Sequence, residues 1–154
     1  MNPDPDETLV GRPFLRDRLV AVASPDLAWP QDGSAVPAIV REMGGGTEAW
    51  KVTVVTGPST IVVDPVLALS SMIMVRDAVR AGVGVARLPV SLVGPDLAAG
   101  RLVHWGDVEG PEIALWTLYP SRRLLSARVS AFLDHLRSAF PTGEPEELAA
   151  FVKV

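Results

Sequence analysis

One run of residues constrains this chain more than any other: Val75-Arg-Asp-Ala-Val-Arg-Ala-Gly-Val-Gly-Val-Ala-Arg-Leu-Pro89. It predicts an amphipathic helix stopped at Gly82, a turn loosened by Gly84, a short apolar strand and a proline stop. Ser70 and Ser71 stand just ahead of that helix. Leu92 to Val103 follows as a short helix, a turn at Gly100 and another strand. A helix start carrying hydroxyls beside a buried parallel strand is how α/β proteins build a cradle for a small molecule. The run therefore points to a sensor of small ligands rather than a catalyst.

The rest of the chain extends the alternation of strand and helix. Arg18 to Ser24 is mostly apolar and reads as a strand covered on both faces. Pro25 to Ser34 reads as loop, Ala35 to Met43 as a short helix ended by Gly44-Gly-Gly46, and Trp50 to Thr56 as an alternating, β-branched strand. Gly57-Pro58 predicts a turn, followed by short strands at Ile61–Val63 and Val66–Leu69. Then come a helix over Met72–Ala81, a strand over Val83–Leu88, a short helix over Val90–Ala98 and strands at Arg101–His104 and Glu112–Tyr119. Leu125, Val129, Phe132, Leu133, Leu136 and Phe140 recur at spacings of three and four, which predicts a helix over Ser126–Ala139 with one apolar stripe. A Pro-Thr-Gly break follows, then a short terminal helix from Pro145 to Val152. Strands alternating with helices make this an α/β chain with a mixed, partly parallel sheet.

Composition narrows the function. The 154 residues have room for one domain, or two small lobes, with a real core. The formal charge is -4, so no basic stripe serves a phosphate backbone, and direct nucleic-acid binding is not expected. There is no cysteine, which removes disulfides, thiolate zinc sites and cysteine nucleophiles and suits a cytoplasmic protein. The start, Met1-Asn-Pro-Asp-Pro-Asp-Glu7, is acidic and proline-rich, unlike a secretory signal, and no apolar run is long enough to span a membrane. Gly-x-Ser-x-Gly, His-Glu-x-x-His and a phosphate loop with its lysine are absent. No catalytic residue, metal ligand set or cofactor is expected. His104 and His135 stand far apart in sequence and read as structural or surface groups. Trp29, Trp50, Trp105 and Trp116 read as core or half-buried anchors, Arg122-Arg123 as a solvated turn, and Glu146 and Glu147 as solvated tail residues.

From about Leu9 to Phe140 the chain resembles the effector-binding region of LysR-type transcriptional regulators. The resemblance is carried by Arg18 to Pro25, Ser70-Ser71, Ala78 to Pro89, Leu92 to Val103 and Leu118 to Ser126, in that order and spacing. It implies a periplasmic-binding-protein-like (type II) lobe, a small organic effector such as a carboxylate, and a homodimer. It implies no enzymatic activity. Against the family's pattern, nothing before Leu9 matches a helix-turn-helix, and the opening repeats of the first lobe are missing. The expected organisation is a flexible lead-in at 1–13, an effector-binding domain at 14–140 and a tail at 141–154. Within the domain, 25–118 is expected to be the second lobe nearly entire, with 14–24 and 119–140 the remnant of the first. The alternatives from other classes are a solute-binding module, or a ligand-free relic acting only by oligomerisation.

The resemblance also nominates residues. Ser70 and Ser71 belong to the expected ligand cradle, although Ser71 is equally well explained as the N-cap of its helix. Val85 and Ala86 are either core or the floor of the cleft. Arg87 either pairs with a nearby acid, the favoured reading, or neutralises an acidic effector. Ser24 and Pro25 are expected at the first crossing between lobes, Tyr119 and Pro120 at the second, as hinges. The apolar stripe of the last helix lacks an evident cover. Six such side chains, at roughly 1.5–3 kcal/mol each when buried, make self-association the expected solution.

Overall fold

A computed structural model describes residues 9–120 and 126–149. In chain order the elements are β1 (Leu9–Asp17), β2 (Leu19–Ala23), β3 (Val36–Val40), β4 (Glu48–Val54), β5 (Gly57–Ala68), α1 (Met72–Arg80), β6 (Ala86–Pro89), α2 (Val90–Ala98), β7 (Val103–Val108), β8 (Ile113–Pro120), α3 (Ala127–Ala139) and α4 (Pro145–Ala149). β1 and β8 pair antiparallel as a two-stranded ribbon, and the other strands form one curved sheet ordered β3-β5-β4-β7-β2-β6. β3 and β5 run parallel and the remaining neighbours antiparallel, so the sheet is mixed as expected.

The edges of the six-stranded sheet meet. The Ile39 N–H donates to the Val85 carbonyl at 2.9 Å, and the Val85 N–H donates to the Pro37 carbonyl at 2.9 Å. Gly84 permits that closure, because a Cβ there would lie 2.5 Å from the Pro37 carbonyl oxygen. Two cores follow from period-two alternation around the closed sheet. On β2, Ala21 and Ala23 face inward with Trp50, Val52, Ile61 and Trp105. Val20 and Val22 face outward, packing with Val75, Val79, Leu88 and Leu102 under α1 and α2. The small inner alanines leave room for the two indoles.

The two helices of the body are fixed in different ways. α1 closes with the Gly82 N–H on the Val79 carbonyl (2.9 Å) and the Val83 N–H on the Ala78 carbonyl (3.1 Å), with Gly82 at φ 79°. This is the paired-bond glycine stop that the run from Val75 predicted. α2 is started from a distance. Pro89 precedes it and offers no capping side chain, so Arg18 and Asp17 supply the acceptors. The Val90 N–H donates to the Arg18 carbonyl at 3.0 Å. Buried Asp17 accepts from the Ser91 backbone N–H and from the Ser91 hydroxyl.

Several local expectations are corrected. Ala35–Met43 is not a helix; its apolar centre is β3, a buried strand whose unbroken hydrophobic run hides its period. Ile61–Val63 and Val66–Leu69 are not separate strands; β5 runs through Pro65, which lacks a donor and sits at an irregularity opposite Ala38 and Ile39. The turn before it is at Val55 and Thr56 rather than Gly57-Pro58. The lead-in is shorter than expected at its described end, since Leu9–Pro13 belong to β1.

The lobe assignment also shifts. β2 lies inside the six-stranded sheet, so residues 19–24 belong to that body and not to a remnant of another. β8, from Ile113 onward, belongs to the ribbon rather than to the body. The chain passes between the two sheets at Arg18, the residue between β1 and β2, and again between Val108 and Ile113.

α3 forms where its stripe predicted, with the Ser126 hydroxyl accepting from the Val129 N–H at 3.3 Å. Of the stripe, Leu133 is buried, Val129, Leu136 and Phe140 are half-buried, and Phe132 remains 55% exposed. Leu125, Arg122 and Arg123 lie outside the described residues. α4 packs on α2 and β1, with Pro145 buried. Among the described residues no helix is long and apolar enough to cross a membrane.

Candidate functional site

The body carries a depression of about 500 Å³ at the end where β8 begins. Its walls are the end of β3 with Arg41 and Glu42, the start of β4 with Glu48 and Trp50, the first turn of α1 at Met72 and Val75, and Arg87 on β6. Leu19 and Ile113 close it on the side of the ribbon. Its position follows from topology: it opens where the chain passes between the two sheets.

Arg87 is the central charge. On β6, Ala86 and Leu88 point into the helix-side core, and alternation turns Arg87 to the other face. Its guanidinium lies 4.6 Å from the centre of the Trp50 ring. The indole is held in turn, because its Nε1–H donates to Glu48 Oε2 at 3.0 Å. No carboxylate among the described residues pairs with Arg87 or with Arg41. The favoured sequence reading, an ion pair for Arg87, is thus corrected: an aromatic face, not an acid, supports it. Stacking leaves the guanidinium N–H groups free to donate to a planar anion. The opposite wall carries Glu42 and Glu48, so the lining has both signs.

The other nominated residues are distributed differently. Ser71 is the N-cap of α1 by backbone geometry but its side chain makes no capping bond. Ser70 is exposed and Ser71 half-buried, both beside Met72 at the rim rather than in the lining. Val85 and Ala86 are fully buried, one in each core, so the floor-of-cleft reading is replaced by the core reading. Ser24 and Pro25 do not stand at a passage between the sheets. They close β2 at its far end, with the Ser24 carbonyl accepting from the Leu27 N–H. Tyr119 and Pro120 end β8, paired with Val10 and Leu9, one strand-length from the passage that precedes Ile113.

Sequence reasoning missed four features. Trp50 is the core anchor its sequence predicts, but its ring also forms the seat of Arg87. Trp116, expected as a core or half-buried anchor, is 56% exposed. Asp17 with Ser91, and the cluster in which buried Arg76 meets Asp77 and Asp96 while Arg80 and Arg101 also reach Asp96, were not anticipated. Asp17 and Ser91 lie 74 residues apart, and Asp96 stands on a different helix from Arg76 and Arg80, so no local motif announces those contacts. Among the described residues no three metal-binding side chains cluster.

A closed mixed sheet, two helices on its outer face and a depression beside a separate ribbon make up this α/β domain. The family model described as the LysR substrate binding domain matches residues 1–141, and the chain belongs to that family. It is similar to the RuBisCO operon transcriptional regulator of Acidithiobacillus ferrooxidans, with 31% identity over 147 residues, covering 88% of this chain and 46% of that protein. An uncharacterized HTH-type transcriptional regulator of Escherichia coli K12, YhjC, is 30% identical over 142 residues, covering 86% of this chain and 48% of that one. The chain thus spans about half the length of these relatives. Among solved structures, the regulatory domain of CrgA from Neisseria meningitidis superposes with a TM-score of 0.65 at 23% identity, covering 88% of this chain and 71% of that one. That likeness concerns the fold, which is periplasmic-binding-protein-like as expected.

Proposed function

We propose that this chain is the effector-sensing part of a LysR-type transcriptional regulator, non-catalytic, working in the cytoplasm on a small organic carboxylate and self-associating as a homodimer. The observation that carries the reading is Arg87, held on the Trp50 face at the mouth of the depression with no carboxylate partner among the described residues. The start of α1, with the unengaged Ser71 hydroxyl and the positive end of the helix, adds a second attraction for an anion at the rim. Glu42 and Glu48 suit a donor group, such as an amine or hydroxyl, at the other end of the same ligand.

A ligand in this depression touches the body through Arg87 and the ribbon side through Ile113, so it biases the angle between the two sheets. The two passages, at Arg18 and between Val108 and Ile113, absorb that motion in place of Ser24 and Pro25. In a longer regulator the change of angle would be passed to DNA-binding heads through the dimer.

Thermal-shift screening of aliphatic carboxylates, aromatic carboxylates and amino acids tests this. Ligand at a hundredfold excess over its dissociation constant adds about 2.7 kcal/mol of stability. Arg87→Ala is expected to abolish the shift for any carboxylate that gives one. A panel without hits would leave the ligand-free relic as the better reading, and hits indifferent to Arg87 would place the ligand elsewhere than in this depression.

A further inference from the structure

The inner core of the body has a second mouth, at the end of β2 remote from Arg87. There the Ser24 hydroxyl accepts from the Asp26 N–H at 3.3 Å, and the Ser24 carbonyl from the Leu27 N–H at 3.0 Å. That turn folds the chain back, so that Leu27 and Trp29 pack against the inner core. The Trp29 and Trp105 rings lie 5.2 Å apart, tilted by 60°. With the β4–β5 turn at Val55 and Thr56 and the start of β7, they wall a groove of about 590 Å³. It is larger than the depression at Arg87. Leu19 lines the depression and Pro25 the groove, so β2 holds the two roughly 20 Å apart. Every wall of the groove belongs to the body and none to the ribbon.

We infer that this groove is a second binding site, for a flat, neutral aromatic molecule carrying a hydroxyl. The chemistry of the lining selects that class. Two indoles offer faces and edges to another ring. No Lys, Arg, Asp or Glu lines the groove, whereas Arg41, Glu42, Glu48 and Arg87 surround the depression. A charge brought into the groove would lose its water and meet no countercharge. His104, the titratable side chain of the lining, has its Nε2 bonded to Asp107 at 3.0 Å. That leaves Nδ1 as the ring's remaining hydrogen-bonding atom. The Thr56 and Ser59 hydroxyls, also in the lining, bond to no other group among the described residues. A ligand hydroxyl can therefore be met by these polar groups while its ring lies against the indoles. The volume falls within the range of small-molecule sites, about 300–1,000 Å³. Val55, fully exposed beside the groove, is an apolar side chain that a bound ring would cover.

Titration of the full chain with 2-naphthol at neutral pH, followed through the indole N–H signals of its 4 tryptophans, reads this directly. The Trp29 and Trp105 signals, assigned through single replacements by Phe, are expected to shift saturably. Those of Trp50 and Trp116 are expected to shift far less. 2-Naphthoate, the same ring system bearing a charge, is expected to bind about tenfold more weakly. Trp29→Ala is expected to weaken 2-naphthol binding about tenfold through lost ring contact. Because that indole also packs on the inner core, Val55→Asp supplies a second variant at a fully exposed position. It is expected to weaken binding about fivefold with the circular dichroism unchanged. Shifts confined to Trp50 would put the ring in the depression, and binding indifferent to Val55→Asp would put it elsewhere. Either result overturns the inference, as does the absence of a saturable shift up to millimolar ligand. Equal affinity for the two ligands overturns the assignment to a neutral molecule.

Discussion

The six-stranded body and the β1–β8 ribbon with α3 are written in the same alphabet of alternating apolar residues, yet they end differently. In the body both faces of the sheet are covered, one by its own closure around Trp50 and Trp105 and the other by α1 and α2. In the ribbon only the face towards α3 is covered, and even there Phe132 stays exposed while Trp116 and Leu118 face solvent on the other side. Alternation alone does not stabilise a strand. The burial it permits has to be supplied by a second layer, and a two-stranded ribbon under one helix supplies little. The body is therefore expected to set the stability of the chain.

Matched deletions would break that contrast if it is wrong. Leu88 is 1% exposed in the helix-side core, and Leu88→Ala is expected to cost about 2–5 kcal/mol in chemical denaturation. Asp17→Ala acts on the join between the two regions. It leaves the Ser91 hydroxyl and N–H without their acceptor at the start of α2 and should cost about 1–3 kcal/mol. Phe132→Ala removes a larger side chain than either, from a half-covered helix, and is expected to change stability by less than about 0.5 kcal/mol at concentrations where the chain is monomeric. A loss at Phe132 comparable to that at Leu88 would mean that ribbon and body share one core.

The same contrast explains what the sequence disclosed. The stretch from Val75 to Pro89 was legible because its signals are local: apolar spacing along α1, Gly82 at the positive φ that ends it, and Gly84 where the backbone of β3 comes too close for a side chain. β3 was misread because a strand buried on both faces has no alternation to show, and five apolar residues around a proline do not distinguish helix from strand. Of the site, Arg87 was visible as a charge out of place on an apolar strand. Its support was not, since Trp50 lies 37 positions earlier and reaches it only through the closure of the sheet. The Asp17–Ser91 pair, 74 residues apart, was hidden for the same reason.

The smallest effect concerns the tail, where the sequence suggested solvated acids. The Glu147 carboxylate stays at the surface and also accepts from the Thr142 N–H and hydroxyl at 3.0 Å each and from the Gly143 N–H at 2.9 Å, closing the turn that carries α4 back to α2 and β1. Burial opposes the charge, but these bonds, with one from the Glu144 backbone, outweigh it and hold the carboxyl below its ordinary value. A depressed acid favours the folded turn when ionised, so its contribution is complete above the ordinary carboxylate range and is lost as pH falls through the lowered folded value. Hydrogen exchange at the Thr142 and Gly143 amides is expected to show protection, relative to the core strands, that fades in acid and is already weakened at neutral pH in Glu147→Gln, whose neutral amide accepts more weakly. Because the Gly143 carbonyl also accepts from the Arg16 N–H on β1, the same titration loosens that edge of the ribbon. Protection that stays level through the acid range would show that α4 is held by Pro145 and its apolar contacts alone, and the cover on β1 would then owe nothing to charge.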